Sequence, residues 1–357
     1  MNLILVGGFL GSGKTTAVVN ASLQLMQKNI RVGVITNDQG DQLVDREYVD
    51  SFRIPSAAVL NGCFCCNYNQ LDTVLTTLRE NDQAEFVFAE SVGSCTDLIA
   101  TVAKPLSQAY HTIKLVISIF ADASLLVALI EDRASFLDDS VRYIYKKQLE
   151  EADFLILNKA DQITPKQLGV VDKVLKSEYP DKIILHQNSL NDQDISRWLY
   201  CMEQFTQFPK RQSLSMDYPL YGEGESKLAW LDKAITVTTQ HADCTFVVRK
   251  ILGAIFNQIQ SRQLTIGHLK FFLEADQWKQ KISFTTTSTA VSLILPEHKT
   301  NRINILINAR VQSEPLTLQK LIDEVLAQAQ QSYSCDISNG KWASFKPGYP
   351  RPTHRVD

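Results

Sequence analysis

The chain has no surplus of positive charge: 36 Lys and Arg stand against 39 Asp and Glu over 357 residues, a formal net charge of −3. Without a basic field, nucleic acid is not an expected partner. The chain also lacks an apolar run near the ~20 residues that a membrane-spanning helix needs. Its amino-terminal stretch Met1-Asn2-Leu3-Ile4-Leu5-Val6-Gly7 is about one strand long and has no basic region before it, so neither a leader nor a membrane partner is expected and the protein reads as cytoplasmic. No internal repeat or low-complexity tract interrupts it. Cysteine is sparse and odd in number, seven in all, which argues against a disulfide framework.

Three of those cysteines, Cys63, Cys65 and Cys66, fall within four positions of Asn61-Gly62-Cys63-Phe64-Cys65-Cys66-Asn67. Thiolates are soft ligands suited to zinc, copper(I) and related ions, so the cluster reads as a metal or redox site. The other four, Cys95, Cys201, Cys244 and Cys335, read as small, partly buried residues. Adjacent Cys65 and Cys66 cannot easily point the same way on a regular strand, which predicts an irregular loop. Leu71, Val74, Leu75 and Leu78 then follow at the spacing of an amphipathic helix that starts near Asn69. The thiols are thus expected near a helix N-terminus, where the dipole favours thiolate.

Length and a 45% hydrophobic content allow more than one core. In the first 200 residues, short β-branched runs at 3–6, 31–36, 85–89, 114–120, 154–157 and 182–186 alternate with helical patterns. This predicts an α/β fold of the P-loop NTPase type with a doubly wound, mainly parallel sheet. A nucleotide domain is placed at 1–206, a Pro- and Gly-containing linker at 207–227, a smaller α+β domain at 228–339 and an extended tail at 340–357. The second domain is expected to hold a helix at 245–259, strands at 264–274, 282–287 and 303–310, and a helix at 316–330.

Gly8-Phe9-Leu10-Gly11-Ser12-Gly13-Lys14-Thr15 fits the phosphate-loop pattern and lies between a strand and a helix that runs on through Thr16. Its glycines let backbone N–H groups curl around phosphates, Lys14 reaches the β and γ phosphates, and Thr15 binds Mg²⁺. Glu90, ending the apolar run Phe86-Val87-Phe88-Ala89, is placed to meet Mg²⁺ directly or through water. Asn158-Lys159-Ala160-Asp161 follows another strand, and the Asp161 carboxylate can accept from the N1–H and amino group of guanine, a donor pair that adenine lacks. GTP is therefore the expected nucleotide. Ser189, after the run at 182–186, is expected to complete the base pocket.

In this order, the phosphate loop, the Cys-x-Cys-Cys motif of Cys63 to Cys66, the Glu-x-x-Gly of Glu90 to Gly93 and the Asn-Lys-x-Asp box resemble the CobW-like family of P-loop GTPases, relatives of the nickel-insertion proteins HypB and UreG. The resemblance implies a GTP-hydrolysing metallochaperone that couples nucleotide state to a transition metal, Zn²⁺ or Co²⁺, and delivers it to a client metalloprotein. Its catalytic residues would be Lys14, Thr15 and Glu90. Asn37-Asp38-Gln39-Gly40 stands where the family often has Asn-Glu-x-Gly, so Asp38 is a candidate metal ligand with a shorter arm. The six histidines, at 111, 186, 241, 268, 298 and 354, are scattered, so no His tract gathers metal. Three thiolates leave a tetrahedral zinc one ligand short, with water, Asp38, His111 or a partner's group as sources of the fourth. No arginine finger is assignable, so turnover is expected to be slow and to need a homodimer or client. Competing readings are a regulatory GTPase whose cysteines sense redox state and a small-molecule kinase on the same loop.

Overall fold

The computed structural model describes residues 1–357 apart from 38, 39, 41–43, 135, 136, 207–210, 277, 289–292 and 294. Among the described residues the chain forms two compact units, the first made of Met1–Gln39, Phe52–Gly224 and Tyr349–Asp357, the second of Gly40–Ser51 and Glu225–Gly348.

The first unit holds a seven-stranded parallel sheet of β1 (Asn2–Gly8), β2 (Val32–Asn37), β3 (Ser56–Val59), β4 (Phe86–Glu90), β5 (Lys114–Asp122), β6 (Phe154–Asn158) and β7 (Ile183–Gln187). Their order across the sheet is β3-β2-β4-β1-β5-β6-β7. Leu3, Ile4, Leu5 and Val6 of β1 are all buried, as are Phe86 to Glu90 of β4 and Phe154 to Asn158 of β6. Strands covered by helices on both faces need continuous apolar runs, and that is what made them visible in the sequence. β3 was not expected, because Ser56-Ala57-Ala58-Val59 is short, small-sided and sits at the sheet edge.

Helices of this unit are α1 (Lys14–Gln27), α3 (Tyr68–Glu80), α4 (Lys104–Ala109), α5 (Ala123–Ile130), α6 (Asp139–Glu150), α7 (Pro165–Glu178), α8 (Asp192–Gln204) and α9 (Tyr218–Ser226), while α2 (Val44–Asp50) belongs to the second unit. Their starts carry readable caps. Asp122 accepts from Leu125 N–H, Asn191 accepts from Gln193 and Asp194 N–H, and Thr164 and Gln167 form a reciprocal capping box with Pro165 at the first turn. Each such cap contributes about 1 kcal/mol.

The second unit is a five-stranded antiparallel sheet, ordered β10-β9-β11-β8-β12, with α10 (Cys244–Ser261) and α11 (Pro315–Tyr333) packed against it. Its strands are β8 (Leu228–Thr239), β9 (Ile266–Ala275), β10 (Trp278–Phe284), β11 (Arg302–Gln312) and β12 (Cys335–Phe345). β8 was hidden by the charges in its middle. Lys233 is buried and reaches Asp323 at 3.0 Å, while Asp232 accepts from Arg310 at 2.7 Å and Asn308 at 2.7 Å. Arg310, fully buried, also lies over the Trp230 ring, its guanidinium carbon 4.0 Å from the centroid.

Three expected boundaries differ from the structure. The expected linker contains helix α9, whose Leu220 N–H is capped by Asp217 at 3.0 Å. Its glycines serve close packing, since a Cβ on Gly222 would lie 2.5 Å from Tyr349 and one on Gly224 2.6 Å from the Ser140 carbonyl. The expected tail is strand as far as Phe345, because Trp342 and Phe345 are good strand residues and β8 offers a ladder to pair with. Residues 40–51, expected in the nucleotide domain, pack with the second unit. There α2 buries Val44 and Val49, Val44 N–H donates to Asn308 Oδ1 at 2.8 Å, and Asp45 pairs with Lys270. No helix among the described residues is long and apolar enough to cross a membrane.

Because Arg310 is buried with its charge, removing the Asp232 carboxylate should cost far more than a surface change. We expect Asp232→Ala to lower unfolding free energy by about 3–5 kcal/mol in urea titration; a loss under ~1 kcal/mol would show the pair to be incidental.

Candidate functional site

Parallel register aligns the carboxyl ends of the central strands, pairing Val6 with Glu90, Asp122 with Asn158, and Asn158 with Gln187. Loops leaving that edge are where an open α/β sheet binds its ligand. Gly8, Gly11 and Gly13 have φ of 122°, 75° and 91°, in the region that side chains avoid. A Cβ on Gly13 would also lie 2.3 Å from Asn158 Nδ2. The loop therefore turns tightly into α1 at Lys14 and Thr15, with Thr16 half-buried in the first turn.

Lys14 is buried, and its Nζ donates to the carbonyls of Gly8 at 2.7 Å and Phe9 at 3.1 Å, across the mouth of its own loop. Thr15 Oγ1 donates to Glu90 Oε1 at 2.9 Å, joining the two groups expected at Mg²⁺. A hydroxyl and a carboxylate, both hard oxygen donors at a phosphate loop, fit that ion. Asn158 ties the other side together: Nδ2 donates to the Ser12 carbonyl at 2.7 Å, and Oδ1 accepts from Ser189 N–H at 3.1 Å and Ser189 Oγ at 2.8 Å. Lys159, in the left-handed region at φ 58°, pairs with Asp122 at 2.7 Å. Asp161 lies in a short 3₁₀ turn and is exposed, so its carboxylate is open to an incoming base. Asp122 escaped sequence reading because its role depends on register with Asn158.

The cysteine loop leaves the same edge after β3. Asn37, at the end of β2, holds it through Nδ2 to the carbonyls of Val59 at 3.0 Å and Gly62 at 2.7 Å, and through Oδ1 from Phe64 N–H at 3.0 Å. Cys63 to Asn67 form a turn in which Cys66 and Asn67 N–H both donate to the Cys63 carbonyl, and α3 begins at Tyr68. The three sulfurs converge: Cys63 to Cys65 is 2.8 Å, Cys63 to Cys66 3.2 Å and Cys65 to Cys66 3.8 Å. They form a cluster able to hold a metal ion.

Cys95, five residues after Glu90 and 1% exposed, lies beside Cys63 and Cys65 but outside the cluster of three sulfurs. Contacts from Cys65, then Cys66 and Cys95, hold the Cys63 thiol well below its usual range, whereas the contact with Cys63 pushes Cys65 well up and Cys66 up to about 11. The chain's last residues lie over the cluster, with Arg351 N–H donating to Cys66 Sγ at 3.3 Å, Thr353 N–H to the Cys65 carbonyl at 2.8 Å and Thr353 Oγ1 to the Cys66 carbonyl at 2.9 Å. The expected ligand Asp38 lies outside the described residues, and His111 is an exposed turn residue that does not join the cluster.

A model of the CobW/HypB/UreG nucleotide-binding domain matches residues 2–186, just over half of the chain. The chain belongs to that family. Among characterised relatives, the zinc chaperone YeiR of Escherichia coli is 24% identical over 185 residues, covering 51% of this chain and 53% of its own length. The zinc chaperone CobW of a Sinorhizobium species is 25% identical over 188 residues, covering 46% of this chain and 52% of its own. The chain thus spans about half the length of the curated relatives it matches. Among solved structures, HypB from Helicobacter pylori in complex with nickel aligns with a TM-score of 0.43 at 15% identity, over 59% of this chain and 91% of that one.

In this member of the CobW/HypB/UreG family, the segment from Glu90 to Ile99 is braced by buried polar groups. Gln148 of α6 donates to the carbonyls of Gly93 at 3.0 Å and Cys95 at 2.8 Å. Glu151, fully buried at the end of α6, accepts from Thr96 Oγ1 at 3.0 Å and Ile99 N–H at 2.9 Å. Tyr221 OH receives Thr96 N–H at 3.3 Å, and Tyr218 and Arg355 both donate to Asp97, at 2.6 and 3.1 Å. Cys95 was not legible as a site residue because a lone cysteine carries no spacing; its position just past a strand ending in Glu90 was the available signal.

Burial pushes the Glu151 carboxyl from its ordinary 4.5 up to about 8. Between those values the folded chain keeps a proton that the unfolded chain has released, so stability is full below pH 4.5 and falls as pH rises towards about 8. Glu151→Gln should therefore gain in melting temperature relative to the unmutated chain across that window and then hold a constant lead; a difference independent of pH would contradict it.

Proposed function

We propose that the protein is a GTP-hydrolysing metallochaperone in which the nucleotide state sets how tightly the cysteine cluster holds a transition metal, zinc in the first place, before transfer to a client metalloprotein. The observation that carries this reading is the shared edge: Glu90, hydrogen-bonded to Thr15, and Cys95, beside Cys63 and Cys65, lie five residues apart on one segment. Asn37 adds a second tie from the end of β2 to the cysteine loop. The named function of the zinc chaperones above, which belongs to those proteins, supports the same reading.

Lys14 offsets phosphate charge from within the loop, and the backbone N–H groups of Gly11 to Thr15 line the cradle. Thr15 and Glu90 would hold Mg²⁺, which supplies charge screening between the β and γ phosphates. Asp161 selects guanine by accepting from its donor pair, with Asn158 and Ser189 fixing the loops around the base. Loss of the γ-phosphate releases the Glu90 segment, a recognised way for a nucleotide switch to reset. Zinc ligation displaces protons from S–H groups, so uptake strengthens with rising pH.

Chelator competition tests the coupling. Zinc should bind at least ~10-fold more tightly with a non-hydrolysable GTP analogue than with GDP, a coupling free energy of about 1.4 kcal/mol. Equal affinities in the two states would end the proposal.

A further inference from the structure

The stretch Tyr349–Asp357 belongs to the first unit, although β12 shortly before it belongs to the second. Its composition does not favour burial: Arg351, Thr353, His354 and Arg355 are exposed, and Pro350 and Pro352 remove two backbone donors. Polar contacts made one after another hold its course instead. Arg351 N–H donates to Cys66 Sγ at 3.3 Å, and Thr353 donates to the Cys65 and Cys66 carbonyls at 2.8 and 2.9 Å. The His354 ring packs edge-on against Tyr68, the first residue of α3, with centroids 4.9 Å apart. Beyond it, Arg355 donates to Asp97 at 3.1 Å and to the Leu214 carbonyl at 2.7 Å, and Val356 N–H donates to the Ala100 carbonyl at 2.9 Å. Ser213 Oγ donates to the Val356 carbonyl at 2.6 Å.

The stretch thus bridges the cysteine loop and the residues from Asp97 to Ala100, and its two ends are held unequally. Asp97 is 1% exposed, and a buried carboxylate that accepts from a guanidinium and from Tyr218 is costly to leave unpaired. Over the sulfurs the hold is lighter, made of neutral hydrogen bonds from the exposed residues Arg351 and Thr353, so local opening there is the easier motion. Cys63 and Cys65 are each 2% exposed, whereas Cys66 is half-buried. The sulfur nearest solvent is therefore the one that Arg351 N–H covers.

We propose that Tyr349–Asp357 is a strap that gates the Cys63 to Cys66 site: it lifts from Cys65 and Cys66 before a metal ion enters or leaves, while the Arg355–Asp97 pair keeps it within reach to close again. The inference rests on the metallochaperone reading and goes beyond it by naming what controls access to the metal. With the strap lifted, Cys66 Sγ loses the Arg351 donor and is the first sulfur that an incoming ion meets. Each ligating S–H gives its proton to solvent as its sulfur bonds the metal. When the strap returns, the Arg351 N–H faces a metal-bound thiolate and offsets part of its charge.

Thiol access in the metal-free full chain tests the strap, read as the rate at which iodoacetamide alkylates each cysteine and resolved by peptide mass spectrometry. Thr353→Pro removes both donors that hold the Cys65 and Cys66 carbonyls. It should speed alkylation of Cys65 and Cys66 by at least ~10-fold, with Cys201, half-buried on α8, unchanged. Equal rates in variant and unmutated chain would overturn the strap, as would a rise shared by Cys201, which marks general loosening. Should that variant fail to fold, Thr353→Val gives up only the hydroxyl bond and should raise the Cys66 rate by about 3-fold; no rise overturns the proposal. Loaded with zinc, Thr353→Pro should pass the ion to a chelator at least ~10-fold faster, and an unchanged transfer rate would overturn the gating of metal. Failure of the strap on a chain that still binds zinc leaves the metallochaperone reading intact, whereas an unmutated chain that binds no zinc refutes that reading and the inference with it.

Discussion

Parallel pairing between β1 and β4 is the constraint on which the rest of the site depends. It places Glu90 beside Val6, two residues before the phosphate loop begins, so that Thr15 at the start of α1 reaches the carboxylate at 2.9 Å. From there the chain has five residues to reach Cys95, and those residues are fixed by α6, α9 and the carboxyl-terminal segment rather than left to solvent. A short segment thus joins the carboxylate bonded to Thr15 to the neighbourhood of the cysteine loop.

The thiols contribute chemistry that oxygen or nitrogen ligands would not. Packed within hydrogen-bonding reach, they make Cys63 the thiol that loses its proton most readily, while Cys65 and Cys66 hold theirs more firmly. Burial of Cys63, Cys65 and Cys95 limits access from solvent, and the segment from Arg351 to Val356 adds a cover anchored at Cys65, Cys66, Asp97 and Ala100.

What the sequence made legible follows from the range over which each signal acts. The phosphate loop, the Asn158 to Asp161 box and the central strands were readable because a local pattern encodes them: glycines before Lys14, a buried apolar run before Glu90, another before Asn158. The cysteine triplet was readable by spacing alone. Cys95 and Asp122 were not, since each gains its role from a residue far away in sequence that the strand order brings near. β8 was obscured for a related reason, as the buried charges of Asp232 and Lys233 make sense only beside Arg310 and Asp323. Residues 40–51 were assigned to the wrong unit because chain continuity with β2 suggested the first, while burial of Val44 and Val49 draws them to the second.

Coupling through the Glu90 to Cys95 segment is tested most directly by following the sulfur shell itself as the nucleotide changes. The Co²⁺-loaded chain, taken from the GDP state to the state with a non-hydrolysable GTP analogue, should change its thiolate charge-transfer absorbance. An identical spectrum in the two states would contradict the coupling of nucleotide to metal that the shared segment implies.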